Sequence, residues 1–158
     1  MSRVIVALLL LLATATAAAP QPLGTVRVVV PATVFFQVTN VSAATDATGG
    51  ASIVSFDRAR LKAGEALRIS VKADGNLTGP GGPAIPASNI SWTTSNVANG
   101  IGINGTLSTA TYTPVYESQV AVTTGRVDLT WTLSAPGASV LAGTHQALLR
   151  WKFEIIPP

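Results

Sequence analysis

His145 is the only histidine in the chain, and it follows Gly143-Thr144 at the start of an alternating segment. A Ser–His–Asp relay would need it beside a serine and one of Asp57, Asp74 or Asp128. No G-x-S-x-G elbow or other nucleophile motif occurs, so His145 reads as a polar surface residue of a strand. Paired carboxylates could cleave a glycosidic bond, but the chain has only 7 acids. Asp128 and Glu154 alternate with Arg and Lys, which reads as ion pairing across strands. Asp74-Gly75-Asn76-Leu77-Thr78-Gly79 matches the first half of a calcium loop, with oxygen ligands at alternate positions and a glycine at the sixth. Ile85 stands where the bidentate Glu is required, and Asp, Asn and Gly there also make an ordinary turn. With no cysteine there is no thiolate metal site and no disulfide framework. The expectation is a chain with no enzyme activity, no metal and no cofactor.

The aromatic residues pose a separate question. Trp92, Trp131 and Trp151 share faces with aliphatic residues, which is core placement. Tyr112 and Tyr116 lie four apart, so in a strand they would share one face over about 13 Å. An exposed pair of that kind can stack on a sugar, and an interior or interface pair is an equal reading. A carbohydrate-binding module would use Tyr112, Tyr116 or Trp92. A third feature is the apolar segment in which Val26, Val28 and Val30 lead to Val34, Phe36 and Val38, with Phe35 on the opposite face. It reads as a first strand paired within its own domain. It is also the candidate assembly strand, because an extended apolar segment can join another subunit's sheet, main-chain hydrogen bonds giving affinity and alternate side chains specificity.

The elements that must position these residues are strands. Leu67, Ile69, Val71 and Ala73 alternate with Arg68, Ser70, Lys72 and Asp74. Val127, Leu129, Trp131 and Leu133 alternate with polar residues in the same way, and Ala147, Leu149, Trp151, Phe153 and Ile155 repeat the pattern at the C-terminus. Slipping the last register by one residue would bury three charges, so it is well specified. Weaker strands are expected at 25–30 and 33–41 around Pro31, at 53–56, 90–95, 107–113 and 115–122. Glycine- and proline-bearing turns separate them. Residues 58–67 have helix-favouring composition, but Gly64 favours a turn. About seven to nine strands with turns every 8–12 residues are the spacing of a sandwich. The predicted core is Leu67, Ile69, Val71, Trp92, Leu129, Trp131, Leu149, Trp151 and Phe153.

Met1-Ser2-Arg3, the apolar run from Val4 to Ala13 and the small residues up to Ala19 have the anatomy of a secretory signal. Cleavage after Ala17 leaves residues 18–158 as one domain. The apolar run is shorter than the roughly 18–20 residues of a membrane span, so no membrane association is expected after cleavage. Charged residues are 11% of the chain, which excludes a disordered polar tract and a coiled coil. A net charge of +3 excludes a nucleic-acid footprint. Sequons at Asn40, Asn76, Asn89 and Asn104 reflect a composition rich in Asn, Ser and Thr.

Leu141-Ala142-Gly143-Thr144-His145 followed by an alternating strand resembles the ending of bacterial pilin-like and spore-coat-U-like exported domains. The Gly125–Leu133 strand and the Ala135-Pro136-Gly137 turn suit the same plan. The resemblance covers roughly the last 35 residues and implies an Ig-like sandwich at the cell surface or in the periplasm, with subunit association as one role. This chain lacks the disulfide of many such proteins and has Trp151 and Phe153 where a tyrosine-rich ending is frequent. No functional residue carries over. The combined expectation is an all-β, single Ig-like antiparallel β-sandwich behind a signal-peptide helix at residues 1–17. It is expected to be an exported structural or adhesive protein (periplasmic, cell-surface or extracellular) acting through a protein partner or self-association. The alternative is a small secreted module that binds a glycan.

Overall fold

A computed structural model describes residues 26–157; the expected signal peptide lies outside the described residues. Eleven strands follow one another: β1 (Arg27–Val29), β2 (Thr33–Val38), β3 (Thr45–Asp46), β4 (Ser52–Asp57), β5 (Ala66–Ala73), β6 (Ile90–Ala98), β7 (Gly100–Gly102), β8 (Gly105–Thr106), β9 (Thr113–Ser118), β10 (Gly125–Leu133) and β11 (Gly143–Ile156). The only helical turn among the described residues is a 3-10 turn at Ala87–Asn89. One sheet has the order β1-β4-β10-β6-β8, with β3 added against β10, and the other has the order β2-β11-β5-β9-β7. Every strand pairing is antiparallel.

The two sheets face each other across one apolar core. Val54, Phe56, Trp92, Val127, Leu129 and Trp131 come from the first sheet, and Phe36, Leu67, Ile69, Val71, Tyr116 and Leu149 from the second. Trp92 and Trp131 are register partners with ring centroids 5.3 Å apart, and Phe56 meets Tyr116 edge-on across the layers at 6.1 Å. Trp151 and Phe153 are only partly buried, packed against the rim of that core.

The strand count exceeds the expected range because β3, β7 and β8 are two or three residues long, too short to leave a period. The expected strand at 107–113 does not form. Leu107 enters the core, but the Ser108 hydroxyl then accepts the Ala110 and Thr111 amides, which turns the chain until β9 begins. Residues 58–65 are a turn, closed by Glu65 N–H to the Lys62 carbonyl and by Lys62 N–H to the Glu65 carboxylate.

Two bulges reset which way side chains face. Ile69 pairs with Tyr116 while Ser70 pairs with Pro114, leaving Val115 as the extra residue. Arg126 pairs with Ala98 while Asp128 pairs with Ser95, so Asn96 and Val97 together oppose Val127. Asn96 takes φ 47° there, a left-handed conformation that asparagine tolerates. Its side-chain amide donates to Asp128 at 2.8 Å, and Arg126 makes a bidentate pair with the same carboxylate. Asp128 therefore sits buried on the outer face of its sheet, not exposed among other polar residues. Its ion pair runs along its own strand, two residues apart, instead of across strands.

The Arg126 hydrogen bonds hold the Asp128 carboxyl below the usual carboxylate range, against the opposing effect of burial. A carboxyl depressed in the folded state stabilises the fold above its unfolded pKa, and that contribution is lost as pH falls through the lower folded value. Asp128→Asn is expected to cost about 1–2 kcal/mol near neutrality, discounted for the half-exposed Arg126. Urea titrations at several pH values check this: the gap from wild type should close only below the ordinary carboxylate range.

Candidate functional site

The three shortest connections in the fold are residues 30–32, Asn99 and residues 103–104. Each carries the chain from one sheet to the other. The carbonyls at so short a crossing need partners. Backbone amides reach two of them, Leu149 N–H at Ala32 and Gln119 N–H at Asn99, and at each crossing an aromatic side chain caps one more, in the middle case that of Ala98, the last residue of β6. Trp151 Nε1 donates to the Pro31 carbonyl at 2.7 Å, Tyr116 Oη to the Ala98 carbonyl at 2.7 Å, and Trp92 Nε1 to the Ile103 carbonyl at 2.8 Å. Trp131, which stands at no crossing, has its Nε1 buried without a partner.

These roles correct the expected sugar platform. Trp92 is 2% exposed and Tyr116 0% exposed, so their ring faces belong to the core. The Val115 bulge is the physical reason for Tyr116: one extra residue between the tyrosines puts them on opposite faces of the sheet. A side-chain carbon at Gly100 or Gly125 would collide with the Tyr116 phenol, so these two glycines form the slot that admits it. Burial pushes its pKa up to about 12. Tyr112 does remain at the surface, but Lys72 Nζ and Lys152 Nζ lie 5.1 and 5.9 Å from its ring centroid. Those distances engage the ring with cations.

The candidate assembly segment is part of this chain's own sheets. Val34 and Phe36 are buried, and Val26 and Val30 are partly buried against the core. Val28, at the centre of β1, pairs with Phe56 of β4. β1 and β2 each form the outermost lane of a sheet. The outer side of β2 is bridged to Ala47 through Phe36, whereas β1 pairs with β4 alone.

His145 does not lie on the surface. It is buried, pointing inward from β11, with Nε2 hydrogen-bonded to the Leu141 carbonyl at 2.9 Å. A carbonyl can only accept, so this bond puts the proton on Nε2. The ring rests against Gly79, where any side chain would overlap the imidazole. No hydrogen bond joins His145 to Asp57, Asp74 or Asp128. Asp74 is bound to Arg150 and Asn76 Oδ1 accepts the Ala87 amide, so two of the three side-chain oxygen ligands of the calcium-like loop are otherwise engaged. Asp128 and Glu154 lie on the outer faces of opposite sheets and cannot flank one bond. Among the described residues no three His, Cys, Asp or Glu side chains converge as metal ligands.

Sequence reasoning missed the surface that stands out instead. On the outer face of the second sheet, β11 presents Thr144, Gln146 and Leu148, then Arg150, Lys152 and Glu154. The first half is free of charge and the second is wholly charged. Gln146 pairs with Phe35 on one side and with Thr78 on the other. Thr78, Gly79 and Pro80 stand beside Thr144 and Gln146 and line an open groove of about 640 Å³. The signal was present in the alternate residues of 144–154, but nothing in the sequence placed Thr78 or Phe35 next to them.

Tyr116→Phe removes one hydroxyl and leaves the Ala98 carbonyl without its donor. It is expected to cost about 1–2 kcal/mol near neutrality. Because the folded-state phenol titrates above its unfolded value, wild-type stability should hold below pH 10 and fall as pH rises toward about 12. Alkaline denaturation monitored by circular dichroism checks both points: the variant should be the less stable near neutrality and lose less between those limits.

The chain matches no family model, no curated protein and no solved structure.

Proposed function

We propose that this is an exported, non-enzymatic structural or adhesive protein that works at the cell surface or in the periplasm by associating along its strand edges. The partner in this reading is a further copy of the chain. The observation that carries it is the placement of residues 26–38. This N-terminal segment forms an edge lane in both sheets at once. Removing it would leave every other pairing between named strands unbroken. The same contacts can therefore be made by the segment of another copy, which is how strand exchange operates.

The strand order supports an Ig-like reading. With β1, β4, β5, β6, β10 and β11 taken as strands A to F, the first sheet runs A-B-E-D, and C and F are neighbours in the second. The lane beside F, which a seventh strand holds in an immunoglobulin domain, is held here by β2. Val34, Phe36 and Val38 fill the core from that lane. A lane filled by an N-terminal segment is one that a neighbour's N-terminal segment can fill.

Gln37 and Thr144 face each other across β2 and β11, their side chains 2.7 Å apart, and the chain has no cysteine of its own. A Gln37→Cys, Thr144→Cys double variant is a direct reporter. Exchanged copies should give covalent multimers on a non-reducing gel, each strand linked to its neighbour. Crosslinked monomer alone, at every protein concentration, would contradict the proposal.

A further inference from the structure

We propose that the uncharged half of the second sheet's outer face is a binding groove for a neutral saccharide. Three lanes meet there in register. Phe35 stands opposite Gln146, Gln146 opposite Thr78, and Gln37 opposite Thr144. Phe35 is 43% exposed and Leu148 is 54% exposed, so two apolar surfaces lie among amides and hydroxyls. A sugar ring has the complementary make-up: an apolar C–H face for an aromatic ring and hydroxyls for side chains that both donate and accept.

Charge selects the class of ligand. None of Phe35, Gln37, Thr78, Thr144, Gln146 or Leu148 is ionisable, while the cations of this face lie farther along β11 and β5. There Arg150 is bound to Asp74 and Arg68 to Glu117, and Lys72 and Lys152 sit over Tyr112. An anionic ligand would be drawn to that half and would find no counter-charge in the groove. The groove along Thr78–Pro80, Thr144 and Gln146 has a volume of about 640 Å³, within the roughly 300–1,000 Å³ of small-ligand sites, and Phe35 and Gln37 flank it across β11.

The groove is also pre-shaped. Thr78 and Gln146 exchange two backbone hydrogen bonds, at 3.0 and 2.8 Å, which fixes one wall to β11. Behind that wall, the His145 ring admits only glycine at position 79, so the wall is bare main chain between Thr78 and Pro80. The Thr144–Gln37 hydrogen bond holds two of the polar side chains in place before a ligand arrives.

The test is chemical-shift mapping on isotope-labelled protein purified from expression of the full chain. The probes are neutral gluco-, manno-, galacto-, xylo- and chito-oligosaccharides. The expected result is saturable shifts at Phe35, Thr78, Thr144 and Gln146 with at least one member. Affinity should be insensitive to salt, because no charge takes part. It should fall by about tenfold or more in Phe35→Ala and again in Gln146→Ala. Both residues face outward, and either variant alone serves if the other fails to fold. Lys72→Ala should leave binding unchanged. Silence from every probe overturns the proposal. So does binding confined to charged saccharides and lost in salt.

Discussion

A sandwich whose chain repeatedly steps between sheets must satisfy the main-chain groups at each step, and the shortest steps have no room to do so themselves. In this fold three side chains that combine a large apolar body with one polar atom each cap a carbonyl at such a step, beside the main-chain bonds to the Ala32 and Asn99 carbonyls. The body supplies core and the polar head caps a carbonyl at the crossing. One residue thus performs two tasks that loops of greater length would divide. The glycines follow from the same constraint: the slots at Gly100 and Gly125 admit Tyr116, and Gly105 admits the Trp92 ring. Trp131 belongs to the same inner layer but meets no crossing, and its indole N–H goes unpaired.

The strands of the interior were legible because their alternation is long and their polar faces are charged. Residues 67–73, 127–133 and 147–155 each repeat over several residues, enough to fix both period and face. Core placement of Trp92 and Trp131 followed from their neighbours. What alternation does not carry is an inserted residue. The bulge at Val115 separated Tyr112 from Tyr116, and the bulge at Asn96–Val97 accompanies the enclosure of Asp128. Spacing in sequence put both tyrosines on one face, and one residue of excess chain undid it. The groove was illegible for a different reason. Its two walls, Thr78–Pro80 and Thr144–Gln146, lie more than sixty positions apart, and their neutrality has meaning only once they are adjacent.

Edge placement and crossing contacts meet at the N-terminus. β1 is held by β4 on one side alone, and Val29 is 50% exposed. The turn from β1 into β2 is held from the last strand by the Trp151 indole, which donates to the Pro31 carbonyl, and by the Leu149 amide, which donates to the Ala32 carbonyl. Proline suits that corner because it offers no N–H to either ladder. The contact therefore holds one end of the segment proposed to exchange between copies, alongside the six register pairs of β2 with β11. The charge-free half of the same sheet lies beside β2, so strand exchange would bring Phe35 and Gln37 of one copy against Gln146 and Thr144 of the next.

Native-state hydrogen exchange on Trp151→Phe, compared with wild type, tests most directly the claim that aromatic donors hold the crossings. Loss of the indole N–H should speed exchange in residues 27–38 while protection in β5, β6 and β10 stays at its wild-type level. Unchanged exchange at 27–38, or an even loss of protection throughout both sheets, would contradict the account.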